Sequence, residues 1–218
     1  MQLTSDQVAE VYADNCCGMT RQQWVEMHAR RGYVLDNCEP ADFRTAQIAA
    51  CRPEVRAFAK DVADGKAAGL VLTGRAGRGK TYAACAVMRN VSGSVGVGLA
   101  TDAELVRKAK ASFGDRGATE EGVIAAFARP YLLTLDDFGK AAYTSDWATQ
   151  LVFEVLDQRA KRRKPTIVTT QYNAAQLVEK LTVNGDSATA EAVVSRLRPF
   201  SKVRLDGPDL RGAVRNVA

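Results

Sequence analysis

Eight consecutive residues, Gly74-Arg75-Ala76-Gly77-Arg78-Gly79-Lys80-Thr81, constrain the fold of this chain more than any other feature of its 218 residues. They spell G-x-x-x-x-G-K-[ST]. Glycines at this spacing let a loop double back so that its backbone N–H groups converge on an anion. The arrangement works only where a strand delivers the loop and a helix N-terminus backs it. Both are written beside it. Gly69-Leu70-Val71-Leu72-Thr73 is a short apolar run suited to a strand buried on both faces, and the pattern predicts a helix over about residues 80–90.

The alternation continues toward the C-terminus. Apolar runs at 94–100, 131–135, 166–170 and 202–205 read as further strands. Between them fall helical patterns at 102–113, with Thr101 or Asp102 as cap, at 119–128, begun by Thr119 and Gly122, and at 145–163, 173–181 and 187–198. Strands alternating with helices predict a five-stranded parallel sheet sandwiched by helices, an α/β fold. Upstream, Pro53 opens a helix whose apolar face carries Val55, Phe58, Ala59 and Val62, and Gly65 ends it.

Residues 1–52 differ from the rest. They hold five basic and seven acidic residues, net −2, whereas 53–218 hold 25 basic and 18 acidic, net +7. The division predicts a small helical leader over 1–52, with helices at 4–14 and 20–30 and a short one near 43–50, ahead of the main domain at 53–218. A basic domain permits nucleic-acid binding without requiring it. Cys16, Cys17, Cys38, Cys51 and Cys85 are odd in number and contain no C-x-x-C pair, which reads as reduced thiols rather than a disulfide framework. Cys16, Cys17, His28 and Cys38 have residue types that can make a four-ligand zinc site, but adjacent cysteines suit a single tetrahedral site poorly and the second half of a finger signature is missing. The lone His28 excludes a three-histidine metal centre. No apolar run approaches the roughly 18 residues of a membrane helix, and the N-terminus lacks a basic-then-apolar signal, so a cytoplasmic protein without membrane association is expected.

The chemistry follows from the loop. Gly74 to Thr81, with Tyr82 opening the next turn, is expected to cradle the phosphates of ATP, Lys80 reaching the β- and γ-phosphates and Thr81 giving its hydroxyl to Mg2+. Leu132-Leu133-Thr134-Leu135-Asp136-Asp137 is an apolar strand ending in two acids. In phosphate-loop proteins the first such acid holds the Mg2+ shell, here Asp136, and the next can polarise the attacking water, here Asp137. Taken alone, two acids at a strand end more often make a cap or a solvated turn. Their pairing with the phosphate loop favours the catalytic reading, and hydrolysis by this route needs no histidine.

At this point the chain resembles a known group. Leu72 to Ala84, together with Leu-Leu-Thr-Leu-Asp-Asp-Phe-Gly at 132–139, is similar to the AAA+ ATPases of the DnaC/DnaI helicase-loader group, to which the IstB-type transposition ATPases also belong. Gln158-Arg159 and Lys164 to Tyr172 resemble the stretch leading into sensor 1, where this chain has Gln171 in place of the usual asparagine. Val194-Ser195-Arg196-Leu197 resembles the segment carrying the arginine finger, which implies Arg196 as the finger, acting on nucleotide held by a neighbouring subunit. Asp209-Leu210-Arg211 resembles the C-terminal Ser-Tyr-Arg element loosely, and the resemblance implies that no lid domain is to be expected.

The resemblance implies an AAA+ phosphate-loop NTPase that assembles into an ATP-dependent oligomer, binds single-stranded DNA and serves a replicative helicase or a transposase. The first basic cluster, Arg107, Lys108, Lys110 and Arg116 with the aromatic Phe113, is the implied DNA contact. A second cluster, Arg159, Lys161, Arg162, Arg163 and Lys164, lies at a helix end, where cations also satisfy the helix dipole. Three functions are consistent with the motifs: a helicase-loading replication accessory of bacterial or phage origin, an IstB-like transposition regulator, and a phosphate-loop nucleotide kinase. The Asp-Asp-Phe-Gly strand end and the Arg196 segment speak against the kinase.

Overall fold

The computed structural model describes residues 46–113 and 119–210. The expected helices at 4–14 and 20–30, the Cys16, Cys17, His28 and Cys38 grouping, Arg116 and Arg211 lie outside the described residues. From the N-terminal side come a single 3-10 turn, Ile48–Ala50, then α1 (Pro53–Ala63), β1 (Gly69–Thr73), α2 (Lys80–Val91), β2 (Val97–Thr101) and α3 (Asp102–Ser112). There follow α4 (Glu120–Ala128), β3 (Leu132–Asp136), α5 (Asp146–Lys161), β4 (Thr166–Thr170), α6 (Ala174–Leu181), α7 (Ala188–Arg196) and β5 (Ser201–Arg204).

The five strands form one parallel sheet in the order β2-β3-β4-β1-β5. Alternate residues along each strand feed two cores. Leu70, Leu72, Leu132 and Ile167 face α1 and α2, packing on Val55, Phe58, Val62 and Met88. Val71, Leu133, Leu135 and Val168 face the opposite layer, built from Leu105, Phe127, Val155, Leu177 and Val193 of α3 to α7. Each such buried aliphatic side chain contributes about 1.5–3 kcal/mol, and covering both faces is what makes an all-parallel sheet tenable.

Sequence signals set the helix starts. Thr101 caps α3 through a capping box with Glu104, Thr119 caps α4 by accepting the Gly122 N–H, and Asn173 caps α6 in a second capping box with Gln176. Residues 46–52, expected with the leader, lie against the α/β body. Ala46 is buried and its carbonyl accepts from Arg89, while Arg52 donates to the Arg204 carbonyl.

Because every strand points the same way, the C-terminal ends of β1, β4 and β3 meet at one edge of the sheet. That edge is where open α/β sheets bind ligands, and it is where the glycine loop and the acid pair emerge.

Candidate nucleotide-binding site

The loop between β1 and α2 has the backbone its glycines predict. Gly77 and Gly79 adopt φ of 74° and 76°, left-handed values that a side chain disfavours. A Cβ on Gly77 would collide with the Asp209 carboxylate, and the Leu210 N–H donates to the Gly77 carbonyl at 2.8 Å, so the segment after β5 lies against the loop. Lys80 begins α2 and is buried, its Nζ donating to the carbonyls of Gly74 and Arg75 at 2.9 Å each. Arg75 and Ala76 are exposed at the crest, and Arg78 keeps Nη1 buried with no hydrogen-bond partner.

Thr81 and Asp136, 55 residues apart in sequence, meet here. The Thr81 hydroxyl lies 3.1 Å from Oδ1 and 3.0 Å from Oδ2 of Asp136. Asp136 is the last residue of β3 and is buried; burial pushes its pKa up, the neighbouring Asp137 charge adds to this, and hydrogen bonds from Thr169 and Thr81 oppose it. Asp137 follows in a left-handed conformation, φ 53°, with its carboxylate half-exposed and paired to Lys140 Nζ at 2.9 Å.

Sequence reasoning missed Thr169. It is fully buried in β4, donates to Asp136 Oδ1 at 2.6 Å and accepts the Asp137 N–H at 2.9 Å, so one hydroxyl orients both acids. Lys140, the partner of Asp137, was also missed.

The remaining expected residues are dispersed. Gln171 is exposed just beyond the C-terminal end of β4. Tyr82 spends its hydroxyl on the Gln47 N–H at 3.1 Å rather than on the loop. Arg196 ends α7 and is bound within its own chain: Nε and Nη2 donate to Asp157 Oδ1 at 3.1 and 2.8 Å, and the guanidinium lies over the Phe153 ring. On α3, Arg107 and Lys110 are exposed and Lys108 half-buried, with Arg107 reaching Glu104 at 4.0 Å. Phe113 is 66% exposed and rests on Trp147, ring centroids 5.1 Å apart. Arg159 departs from its place in the second surface cluster. It is buried, its guanidinium donating to Thr166 Oγ1 and to the carbonyls of Ala128, Pro130, Tyr131 and Pro165, because its position on α5 faces the N-terminal ends of β3 and β4.

A family model described as IstB-like ATP binding protein matches residues 20–214. The chain belongs to that family. Its similarity to the replicative helicase loader DnaC of Escherichia coli K12 is 23% identity over 168 residues, 74% of this chain. The match spans 63% of the length of that relative. Among solved structures it is similar to a primosome component from Streptococcus pyogenes serotype M3 (TM-score 0.65, 22% identity, 88% of this chain and all of that one). DnaI is similar too (TM-score 0.64, 22% identity, 79% of this chain and 94% of that one). These likenesses show that the chain shares the fold of those two proteins.

For an IstB-like ATP-binding protein, the donor set suits a magnesium–triphosphate. Thr81 and Asp136 present hydroxyl and carboxylate oxygens, the hard donors Mg2+ takes. Lys80 and the left-handed glycines would supply the cation and the backbone cradle for such a group. No helix among the described residues is long and apolar enough to cross a membrane.

Proposed function

We propose that this chain is an Mg2+-dependent ATPase that acts as a cytoplasmic accessory of DNA replication, binding single-stranded DNA and helping to place a replicative helicase. The observation that carries the reading is the meeting of Thr81 with both carboxylate oxygens of Asp136 beneath a phosphate loop. Lys80 exchanges the Gly74 and Arg75 carbonyls for phosphate oxygens when ATP binds. Thr81 and Asp136 would hold Mg2+, which would supply positive charge against the phosphates. Asp137 takes a proton from the attacking water, Gln171 touches the water or the terminal phosphate from the end of β4, and Arg196 of a neighbouring subunit stabilises the developing charge. The site is thereby shared between subunits, so ATP drives self-association. Arg107, Lys108, Lys110 and Phe113 line the DNA contact, and the leader, residues 1–52, engages the partner.

Family membership favours one further reading, an IstB-like regulator that assembles on DNA and instructs a transposase. The ATPase core is common to both, so the partner decides.

The test is ATP turnover by wild type and Lys80→Ala with and without single-stranded DNA, beside pull-downs with a hexameric helicase and with a transposase. DNA-stimulated turnover abolished by Lys80→Ala, with helicase capture, is expected. Transposase capture instead moves the assignment to the second reading. Retained turnover in Lys80→Ala overturns the phosphate-loop assignment, and phosphate transfer to a small acceptor would reinstate a nucleotide kinase.

A further inference from the structure

Asp102 is the first residue of α3 and is 1% exposed, yet it does not cap the helix, a task Thr101 performs with Glu104. Its carboxylate is aimed elsewhere. Oδ2 accepts the Gly139 N–H at 2.7 Å and the Tyr143 hydroxyl at 2.7 Å, with the Ala141 N–H at 3.5 Å, while Oδ1 accepts the adjacent Ala103 N–H at 2.9 Å. A buried carboxylate is costly unless donors surround it. Here three of the four belong to the segment that follows the acid pair.

That segment needs holding. Asp137 carries a left-handed φ of 53°, which an L side chain disfavours and which persists only where the surroundings over-determine it. On one side β4 supplies the restraint: Thr169 Oγ1 takes the Asp137 N–H, the Thr169 carbonyl takes the Phe138 N–H, and Thr170 Oγ1 donates to the Phe138 carbonyl. Beyond Phe138 the ties to β4 give way to the ties to Asp102. The turn is thus clamped between two elements, and Asp102 is the clamp on the α3 side.

We propose that Asp102 is a positioning residue for the acid pair: by fixing Gly139 and Tyr143 it holds Asp137 in its left-handed backbone and keeps that carboxylate aimed for water activation. The inference rests on the ATPase reading above and adds to it a group that touches neither nucleotide nor metal. Asp102 also joins the Asp137 turn to the root of α3, the helix that bears Arg107, Lys108 and Lys110.

The test uses the full chain with Asp102→Asn, Asp102→Ala and Tyr143→Phe. Positioning predicts that kcat falls by about tenfold in Asp102→Asn and about a hundredfold in Asp102→Ala, the scale set by small misplacements of reacting groups. KM and the affinity for a non-hydrolysable ATP analogue should stay within about threefold, since the phosphate loop is untouched. Tyr143→Phe removes one bond and leaves the fold intact, and should lower kcat by about two- to fivefold at unchanged KM. Backbone amide exchange over residues 137–143 should quicken in Asp102→Ala and Tyr143→Phe while that of the phosphate loop does not. Loss of analogue binding in step with kcat, or unchanged kcat in Asp102→Ala, overturns the proposal. Should the wild-type chain not hydrolyse ATP, the ATPase reading fails on its own, and the clamp is then judged by exchange: unaltered exchange over 137–143 in both variants overturns it.

Discussion

The Thr169 hydroxyl donates to Asp136 Oδ1 at 2.6 Å and accepts the Asp137 N–H at 2.9 Å, so a single buried oxygen on β4 sets the side chain of one acid and the backbone of the next. A hydroxyl is the smallest group that does both. Valine is its isostere without either capacity. In Thr169→Val the Asp137 N–H loses its partner and Asp136 loses its shortest hydrogen bond. We expect turnover to fall by about 10- to 100-fold with analogue affinity little changed. Stability should fall by about 1–3 kcal/mol, the cost of a buried amide left unpaired. Thr169→Ser should restore most of both. Steady-state kinetics beside urea unfolding checks this; wild-type turnover in the valine variant would remove Thr169 from the site.

Asp136 carries a cost of burial in the folded chain. Burial raises its pKa and the adjacent Asp137 charge adds to it, against the hydrogen bonds from Thr169 and Thr81. A carboxyl with a raised folded-state pKa binds its proton more tightly in the folded than in the unfolded chain. Its contribution to stability therefore falls as pH rises from the unfolded value of about 3.9 through the raised folded value, and is level above that. Asp136→Asn removes this penalty. Without nucleotide and Mg2+, the variant should melt above wild type at neutral pH and converge on it toward pH 4, while losing hydrolysis. Calorimetry across that range decides; a variant that melts lower at pH 7 would contradict the sign.

Arg159 belongs to the opposite end of the sheet. Its guanidinium gathers the carbonyls of Ala128, Pro130, Tyr131 and Pro165 and the Thr166 hydroxyl, joining α5 to the starts of β3 and β4. Burial pulls its pKa down to about 9, so it is still charged at neutral pH. Arg159→Met fills the space but orphans those acceptors, and should cost about 3–5 kcal/mol. Because the nucleotide edge is remote, the fraction that folds should bind the ATP analogue with wild-type affinity. Urea midpoints with analogue titrations test both halves, and a loss within 1 kcal/mol (about the net worth of one hydrogen bond) would show that water takes over the acceptors.

These residues mark the limits of what the sequence reveals. The phosphate loop, Thr81 and Asp136 were legible because glycine conformation, lysine charge and the strand-then-acid pattern each demand particular residue types at a set spacing. The parallel sheet was legible from apolar runs alternating with helical ones. Thr169 was not, since in Thr-Ile-Val-Thr-Thr a hydroxyl is hidden among β-branched residues that any strand favours. Asp102 stood beside Thr101 as an equally good cap, and only the returning 139–143 segment shows which of the two turns inward. Arg159 was masked by its neighbours Lys161 to Lys164, because a run of cations in sequence does not disclose that one of them faces the core.

Arg196 provides the strictest test of a shared site. Its guanidinium is held by Asp157, whose Oδ2 also takes Lys161 at 2.6 Å; hydrogen bonds from Lys161 and Arg196 keep the Asp157 carboxyl below its usual pKa, so the pair persists into acid. The arginine at the end of α7 is thus tied to α5 within its own chain, and mixing two variants tests its proposed role across a subunit interface. Arg196→Ala should bind ATP normally and fail to hydrolyse it. Lys80→Ala should fail at binding but still carry a working Arg196. Mixed one to one, an interface pairing the loop of an Arg196→Ala subunit with the arginine of a Lys80→Ala subunit is complete on both sides. With random mixing of head-to-tail contacts, about a quarter of interfaces have this composition, so recovery of up to about a quarter of wild-type turnover is expected from two inactive proteins. Size measurement with the analogue establishes that mixed oligomers form. If they form and no turnover returns, Arg196 does not act across the interface, and its bond to Asp157 is a tie within the subunit alone.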